Sequence, residues 1–184
     1  MDCTGHALSM KPFGWFQVGW SAEIPPGGVK PLKYFGKDLA MFRTETGELN
    51  AIDAHCHHLG AHLGHGGIVK GDAIACPYHG WEWNGEGVNT HIPLQDNCIN
   101  KKLKSWHVIE RNEAIFLWHD QTGGEPRWEL PDIFESFPDV PATADDFYPC
   151  HGQSTLLQPT EGVHPAIAME NAVDTAHFQY THTA

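Results

Sequence analysis

The sequence lacks the features of several large protein classes. No apolar stretch is long enough to cross a bilayer, and residues 1–10 carry neither the basic start nor the apolar run of an export signal. Basic residues are few, 11 Lys and Arg against 23 Asp and Glu, and this acidic balance disfavours binding to a nucleic-acid backbone. The chain also has no G-x-S-x-G nucleophile motif and no phosphate-binding loop, which argues against the serine hydrolases and nucleotide-binding enzymes that carry them.

Cysteine is scarce, whereas histidine is abundant. The 5 cysteines are odd in number and widely spaced, so a disulfide framework is not expected and a reducing, cytoplasmic setting is predicted. The 14 histidines include five within eleven residues, at positions 55, 57, 58, 62 and 65, around Cys56. Because Cys beside His in a reducing compartment indicates a metal more often than a cross-link, we expect a metal site here.

Short runs of apolar and aromatic residues dominate the first two thirds of the chain and predict β-strands. Turn residues such as those at 25–28 and 46–48 separate these runs. The predicted strands and hairpin arms cover 13–20, 29–35, 38–42, 49–54, 67–76, 103–112 and 113–120. Strands at this spacing favour an all-β antiparallel sandwich over residues 13–120.

The amino-acid composition changes after residue 120. Residues 121–146 carry four prolines and seven carboxylates against one arginine, and we interpret them as an extended, solvated connector. A second ordered part is expected over 147–184, where residues 166–182 have helical character after Pro165.

Two Cys-His pairs lie on predicted loops. Cys56-x-His58 is followed, after seventeen residues, by Cys76-x2-His79. Four ligands of two types, divided evenly, suit a [2Fe-2S] cluster of the Rieske kind, in which two Cys hold one iron and two His hold the other. A Cys2His2 zinc site is the alternative, although zinc motifs usually pair like ligands with like. The remaining histidines of this region, at 55, 57, 62 and 65, are predicted not to be ligands.

Residues 56–87 resemble the Rieske domain of ring-hydroxylating and related oxygenases. Respiratory Rieske proteins carry two further Cys and a Ser beside the ligands, where this sequence has Ala61, Tyr78 and Trp81. Without that disulfide and hydroxyl donor, the reduction potential should lie towards the lower end of the Rieske range, which suits electron supply to oxygen activation. Trp81 and Trp83 are expected to pack and to shield the cluster from water.

A second group of candidate ligands lies near the end of the chain, with the spacing N-x2-D-x2-H-x4-H. Its members are Asn171, Asp174, His177 and His182. Asp174 and His177 share one face of an ideal helix. His177 and His182 lie about 140° apart around it and meet at one ion only where the helix is distorted or ends. Taken alone, this pattern is weak.

Beside a Rieske motif, the same pattern resembles the catalytic iron motif of Rieske oxygenase α subunits. Within them, the chain is most similar to the oxygenase components of 3-ketosteroid 9α-hydroxylases. Residues 69–87, 91–93, 105–108, 116–120 and 171–182 carry that similarity. It implies that His177 and His182 bind a mononuclear Fe(II), and that Asn171 stays close to this iron. It also implies that Asp174 bridges His177 to His79 of the partner subunit.

The resemblance further implies an architecture. It predicts a Rieske domain over 13–120, the connector over 121–146, and the start of an α+β helix-grip catalytic domain over 147–184. The family places a third, carboxylate ligand far downstream, so the chain is expected to be incomplete at its C-terminus. A homotrimer is also implied.

The activity implied is that of a terminal oxygenase component. Electrons come from NAD(P)H through a separate flavin and iron–sulfur reductase, and one atom of O2 enters a hydrophobic ring substrate, a steroid by resemblance. The alternative of another class is a stand-alone Rieske ferredoxin-type electron carrier. Residues 171–182 argue against it, because such a carrier has no use for a second iron site. The third hypothesis is a zinc-bound interaction module.

Overall fold

The computed structural model describes residues 13–136, 139, 143–146, 173–174 and 176. The chain divides into two compact units, one of Met1–Pro12 with Leu156–Ala184 and one of Phe13–Thr155. Of the first unit, the structure describes only residues 173, 174 and 176. The predicted helix over 166–182 and the helix-grip part of the fold therefore lie outside the described residues, apart from these three positions.

The described residues of the second unit form antiparallel strands joined by tight turns. The strands are β1 (Phe13–Trp20), β2 (Val29–Tyr34), β3 (Lys37–Arg43), β4 (Leu49–Asp53), β5 (Ile68–Lys70), β6 (Ala73–Ala75), β7 (Glu82–Asn84), β8 (Asn89–His91), β9 (Ser105–Trp106), β10 (Val108–Arg111) and β11 (Ala114–Asp120). One short helix, α1, covers Ile133–Ser136, and 3₁₀ turns cover Ser21–Glu23 and Ala144–Asp146. The predicted all-β, antiparallel fold is confirmed. Within the described residues, no helix combines the length and the apolarity that crossing a membrane requires.

The strands form three sheets, with the orders β1-β11-β10, β2-β3-β4-β9 and β5-β6-β7-β8. Both faces of the sheet β2-β3-β4-β9 are covered at β3. Successive side chains of this strand point to opposite faces, and each set packs in a different core. Leu39 and Met41 belong to a core that they share with Leu117 of β11, whereas Phe42 belongs to a second core with Trp83 of β7. The sandwich therefore places the four-stranded sheet β5–β8 against the middle sheet, and the second core lies between them.

The segment 103–112 differs from its prediction as one hairpin arm. It forms two strands in two sheets, since β9 pairs with β4 and β10 pairs with β11. The chain crosses between sheets at His107, whose carbonyl accepts the backbone N–H of Trp118 at 2.9 Å. A change of pairing partner leaves no mark on the apolar pattern, so the sequence could not show it. The predicted turn at Asn112 and Glu113 is confirmed, with φ of 54° and 62°.

The start of the predicted connector is extended and lies on the first sheet. The indole N–H of Trp15 donates to the carbonyl of Trp128 at 2.9 Å, and that of Trp118 donates to the carbonyl of Gly124 at 2.8 Å. Asn112 Oδ1 accepts the backbone N–H of Ile133 at 2.8 Å. The solvated loop expected here is therefore fixed to the sheet, at least up to α1.

Candidate metal centre

The first loop follows β4 and carries Cys56 and His58. The backbone N–H of Cys56 donates to the carbonyl of Ala61 at 3.0 Å, and the N–H of Gly60 donates back to the carbonyl of Cys56 at 2.9 Å. Gly60 has a φ of 77°, a conformation that residues with a Cβ rarely adopt. The loop is thus a closed turn that fixes Cys56 at its base and His58 at its tip.

The second loop joins β6 to β7 and repeats this pattern. The N–H of Cys76 donates to the carbonyl of Trp81 at 2.8 Å, and the N–H of Gly80 donates to the carbonyl of Cys76 at 2.9 Å. Pro93 packs beside the turn, 3.1 Å from where a Cβ on Gly80 would lie. Two loops of nearly the same hydrogen bonding therefore present one Cys and one His each.

The two thiols lie together at the buried end of the site. Cys56 is 2% exposed and Cys76 is 5% exposed, and both belong to the core between the sheets. Burial raises the pKa of the Cys56 thiol, the backbone N–H of His58 and the indole N–H of Trp83 oppose this, and the neighbouring Cys76 adds to it. Because a metal binds the thiolate, occupation of the site must release protons from these thiols.

The two imidazoles meet at the exposed end. The rings of His58 and His79 lie 4.6 Å apart at 72°, and both residues are exposed. Trp81 stacks on His58 with parallel planes, 4.6 Å between ring centroids and 2° between planes, which restricts the rotation of that imidazole. The neighbouring Tyr78 is 68% exposed and Leu59 is 67% exposed, so two large side chains lie at the surface beside the His pair.

The donor set fits a [2Fe-2S] cluster. Two adjacent buried thiols and two adjacent exposed imidazoles are the arrangement in which one iron takes Cys ligands and the other takes His ligands. Within the described part of the chain, no three His, Cys, Asp or Glu side chains gather as they would around a single ion. The indole N–H of Trp83 is buried near the Cys56 thiol but forms no complete hydrogen bond among the described residues, so it is available to a sulfur of the cluster. The sequence marked Trp83 as a shield, but not as a donor.

The other histidines of the region make contacts of their own. His57 Nε2 lies 3.1 Å from the carbonyl oxygen of Lys102, and its ring packs 5.6 Å from that of Trp83. His62 Nδ1 accepts the backbone N–H of Gly64 at 3.0 Å, while its ring contacts those of His55 and His65. Burial and these two neighbouring imidazoles lower the pKa of His62. That these side chains are not ligands stays a prediction.

A groove of about 700 Å³ lies beside Cys56. Lys37, Lys102 and Lys104 line it, together with Asp38, Asp53 and both His neighbours of the thiol, at 55 and 57. The three lysines are exposed. Three lysines against two aspartates give this lining a formal charge of +1, next to the buried end of the site in a chain of net charge −12.

Most of the second group of candidate ligands lies outside the described residues. Asn171, His177 and His182 belong to that part of the chain, so their predicted roles stay predictions. Asp174 is described and exposed, and its Oδ1 accepts the backbone N–H of Ala176 at 3.1 Å.

Comparison with known proteins identifies the class of domain. Residues 14–110 match the family model of the Rieske [2Fe-2S] domain, and residues 117–184 match that of the 3-ketosteroid 9α-hydroxylase C-terminal domain. The first match covers more than half of the chain, which therefore belongs to the Rieske [2Fe-2S] family.

Two curated relatives and one solved complex are similar to the chain over most of its length or over its larger part. The chain is 36% identical to the oxygenase component of 3-ketosteroid-9-alpha-monooxygenase from Rhodococcus rhodochrous, over 92% of this chain and 43% of that protein. It is 37% identical to cholesterol 7-desaturase from Hemicentrotus pulcherrimus, over 98% of this chain and 38% of that protein. In a solved complex of carbazole 1,9a-dioxygenase, the matched chain is 31% identical with a TM-score of 0.53, over 61% of this chain and 29% of that one. The chain thus spans less than half the length of these relatives.

Proposed function

We propose that the chain belongs to the terminal oxygenase component of a Rieske-type monooxygenase. The proposal rests on one combined observation. Two paired loops present buried thiols and exposed imidazoles in the same chain whose residues 117–184 match the 3-ketosteroid 9α-hydroxylase C-terminal domain. A stand-alone electron carrier explains the paired loops but not the second match.

In this proposal, Cys56, His58, Cys76 and His79 hold the [2Fe-2S] cluster. Because the thiols are buried and the imidazoles are exposed, the cluster would be oriented with its Cys ligands towards the core and its His ligands at the surface. Trp81 keeps the ring of His58 in one orientation through its parallel stacking. Electron exchange with a neighbouring site is therefore expected to pass through the imidazole end of the cluster.

The second site is proposed at His177 and His182, which would hold a mononuclear Fe(II). When bound, such an iron activates dioxygen at coordination positions that the protein leaves open. Asp174 would orient His177 by a hydrogen bond and connect it to His79 of the partner subunit, and Asn171 would lie close to the iron. This arrangement requires a homotrimer or another assembly in which two subunits meet.

The substrate is proposed to be a hydrophobic ring compound, and a steroid in particular. The two curated relatives reported above are named for a 3-ketosteroid and for cholesterol, and they support this class. Electrons are proposed to come from a flavin and iron–sulfur reductase that oxidises NAD(P)H, or from its ferredoxin. The odd number and wide spacing of the cysteines support a reducing, cytoplasmic location.

The test is the Asp174→Ala variant of the oxygenase subunit that contains this chain. We expect the variant cluster to be reduced by dithionite as in the unsubstituted protein, while steroid turnover falls about 10–100-fold, the typical contribution of second-sphere partners of metal ligands. Asp145→Ala is the control, since it removes another exposed carboxylate within residues 117–184 and should keep turnover. Normal hydroxylation by the Asp174 variant would show that the bridge is wrong.

A second candidate, a sterol desaturase, is favoured by the identity with cholesterol 7-desaturase. The two activities differ in the fate of dioxygen. A hydroxylase transfers one oxygen atom from ¹⁸O2 to the steroid, whereas a desaturase forms a carbon–carbon double bond and leaves no ¹⁸O in the product. Mass spectrometry of the product separates them, and the monooxygenase proposal predicts one ¹⁸O atom per product. Cluster reduction without any steroid product would favour the electron carrier.

A further inference from the structure

Trp83 is the largest fully buried side chain among the described residues. It pairs with Ile74 across β7 and β6, so both side chains lie on one face of the sheet. Cys76 lies two residues after Ile74, and its N–H continues the ladder to the carbonyl of Trp81. Cys76 is therefore a diagonal neighbour of Trp83 on that face, within reach of an aromatic side chain.

The indole N–H of Trp83 has no acceptor within the described part of the chain. Other buried tryptophans are satisfied: Trp106 Nε1 donates to Asp53 Oδ1 at 2.9 Å, and Trp118 Nε1 donates to the carbonyl of Gly124 at 2.8 Å. An unsatisfied buried N–H costs about 1–3 kcal/mol. Native proteins leave few such groups, and each of them calls for an acceptor or a function.

The surroundings of Trp83 indicate which acceptor it has. The core around it consists of aliphatic and aromatic side chains and two thiols, those of Cys56 and Cys76. The indole of Trp83 lies close to the Cys56 thiol, and the ring of His57, the next residue, packs 5.6 Å from that of Trp83. Sulfur is thus the acceptor that this core offers.

We propose that the indole N–H of Trp83 donates a hydrogen bond to a sulfur of the [2Fe-2S] cluster at its Cys56 side and thereby raises the reduction potential. The inference rests on the proposed cluster ligands and adds a positioning residue to them. The reduced cluster carries one more negative charge than the oxidised one, so an N–H···S bond stabilises the reduced state more. Trp83 thereby offsets part of the loss of the hydroxyl donor at the position that Trp81 occupies.

The test is an EPR-monitored redox titration of the full chain with its cluster. Trp83→Phe removes the N–H and keeps an aromatic ring of similar shape. We expect the reduced state to lose on the order of tenfold in stability relative to the oxidised state, which is about 59 mV for one electron. Trp118→Phe is the matched control, since it removes a buried indole N–H that serves a carbonyl in the other part of the sandwich, and it should leave the potential unchanged.

A second measurement needs no substitution. With ¹⁵N-labelled tryptophan, pulsed EPR of the reduced cluster should show one weak ¹⁵N coupling, which persists in Trp118→Phe. If Trp83→Phe does not fold, the presence or absence of this ¹⁵N coupling in the unsubstituted chain tests the hydrogen bond. A variant with full iron and sulfide, an unchanged potential and no lost coupling would overturn the inference and leave the cluster ligands intact. An unsubstituted chain without acid-labile sulfide would instead overturn the proposed function.

Discussion

At the scale of single residues, the two ends of the site differ in the type and the exposure of their side chains. The thiols of Cys56 and Cys76 are buried, and the imidazoles of His58 and His79 are exposed. The spacing of the motif predicted these four positions without any structural information. The sequence could not predict the stacking of Trp81 on His58, or the unpaired N–H of Trp83, because both depend on how β7 meets the first loop.

Replacing one exposed imidazole tests the ligand assignment. His58→Ala should abolish or strongly reduce the iron and acid-labile sulfide bound per chain, since the second iron would lose one of its two protein ligands. His65→Ala is the matched control, an exposed histidine seven residues away whose ring contacts His62. Iron and sulfide are measured after anaerobic purification. Equal cluster content in the two variants would contradict the role of His58.

At the scale of elements, turns and one ion pair hold the sheets around the site. The hairpin turn after β7 contacts Leu103, whose backbone N–H donates to the carbonyl of Gly87 at 2.9 Å. The strands β1 to β4 were predicted to within about two residues at each end, since their apolar runs are bounded by turn residues. The strands β7 and β8 lie outside the predicted runs because most of their residues are polar, whereas the equally short β5 and β6 belong to an apolar run.

Alanine at Gly87 should destabilise the fold beside the site. Gly87 has a φ of 75°, and a Cβ there would lie 2.0 Å from the carbonyl oxygen of Leu103. Gly71→Ala is the matched control, with a φ of 58° and no atom within 4 Å of the added Cβ. Both variants should lose about 1 kcal/mol from backbone strain, and Gly87→Ala a further 1–3 kcal/mol, roughly, from the clash. Urea unfolding at equal cluster content measures the two losses of unfolding free energy. Equal losses would show that the turn rearranges to accommodate the added Cβ.

The ion pair of Arg43 and Glu110 connects β3 with β10 and predicts a pH dependence. Arg43 is 9% exposed and donates to both carboxylate oxygens, at 2.8 and 2.6 Å, and to the carbonyl of Ile24. The hydrogen bond from Arg43 lowers the pKa of Glu110 below 4.5. The carboxylate therefore stabilises the fold above pH 4.5, and this contribution is lost as the pH falls through the lower pKa of the folded state.

Glu110→Gln isolates this contribution. At pH 7 the variant should lose about 1–2 kcal/mol of unfolding free energy relative to the unsubstituted chain, and the difference should shrink as the pH falls below about 4.5. Glu45→Gln, at an exposed position, should differ little at any pH. Unfolding curves between pH 3.5 and pH 7, roughly, provide the comparison. A difference that did not depend on pH would assign the loss to packing.

At the scale of the whole molecule, charge is distributed unevenly. The chain carries a net charge of −12, yet the groove beside Cys56 is lined by Lys37, Lys102 and Lys104. In the linear sequence, Lys101, Lys102 and Lys104 form one dense basic stretch. The fold adds Lys37 from β3 to the same groove, which the linear sequence could not show.

This groove is expected to steer an acidic electron donor. Reversal of two charges, Lys37→Glu with Lys102→Glu, should slow reduction of the cluster by an acidic ferredoxin about tenfold at low salt and remove most of the salt dependence. Lys33→Glu with Lys70→Glu reverses two exposed charges that do not line the groove. Stopped-flow reduction at two ionic strengths measures the rates. Equal rates for both double variants would place the docking site elsewhere.

Cys56, His58, Cys76 and His79 are proposed to hold a cluster with two iron and two sulfide. Pulsed EPR of the reduced chain labelled with ¹⁵N-histidine tests this assignment. We expect a signal from a reduced [2Fe-2S] cluster coupled to two strongly bound imidazole nitrogens, and to one or none in His79→Ala. A reduced chain with a cluster signal that lacks imidazole coupling, or with zinc and no cluster signal, would contradict it.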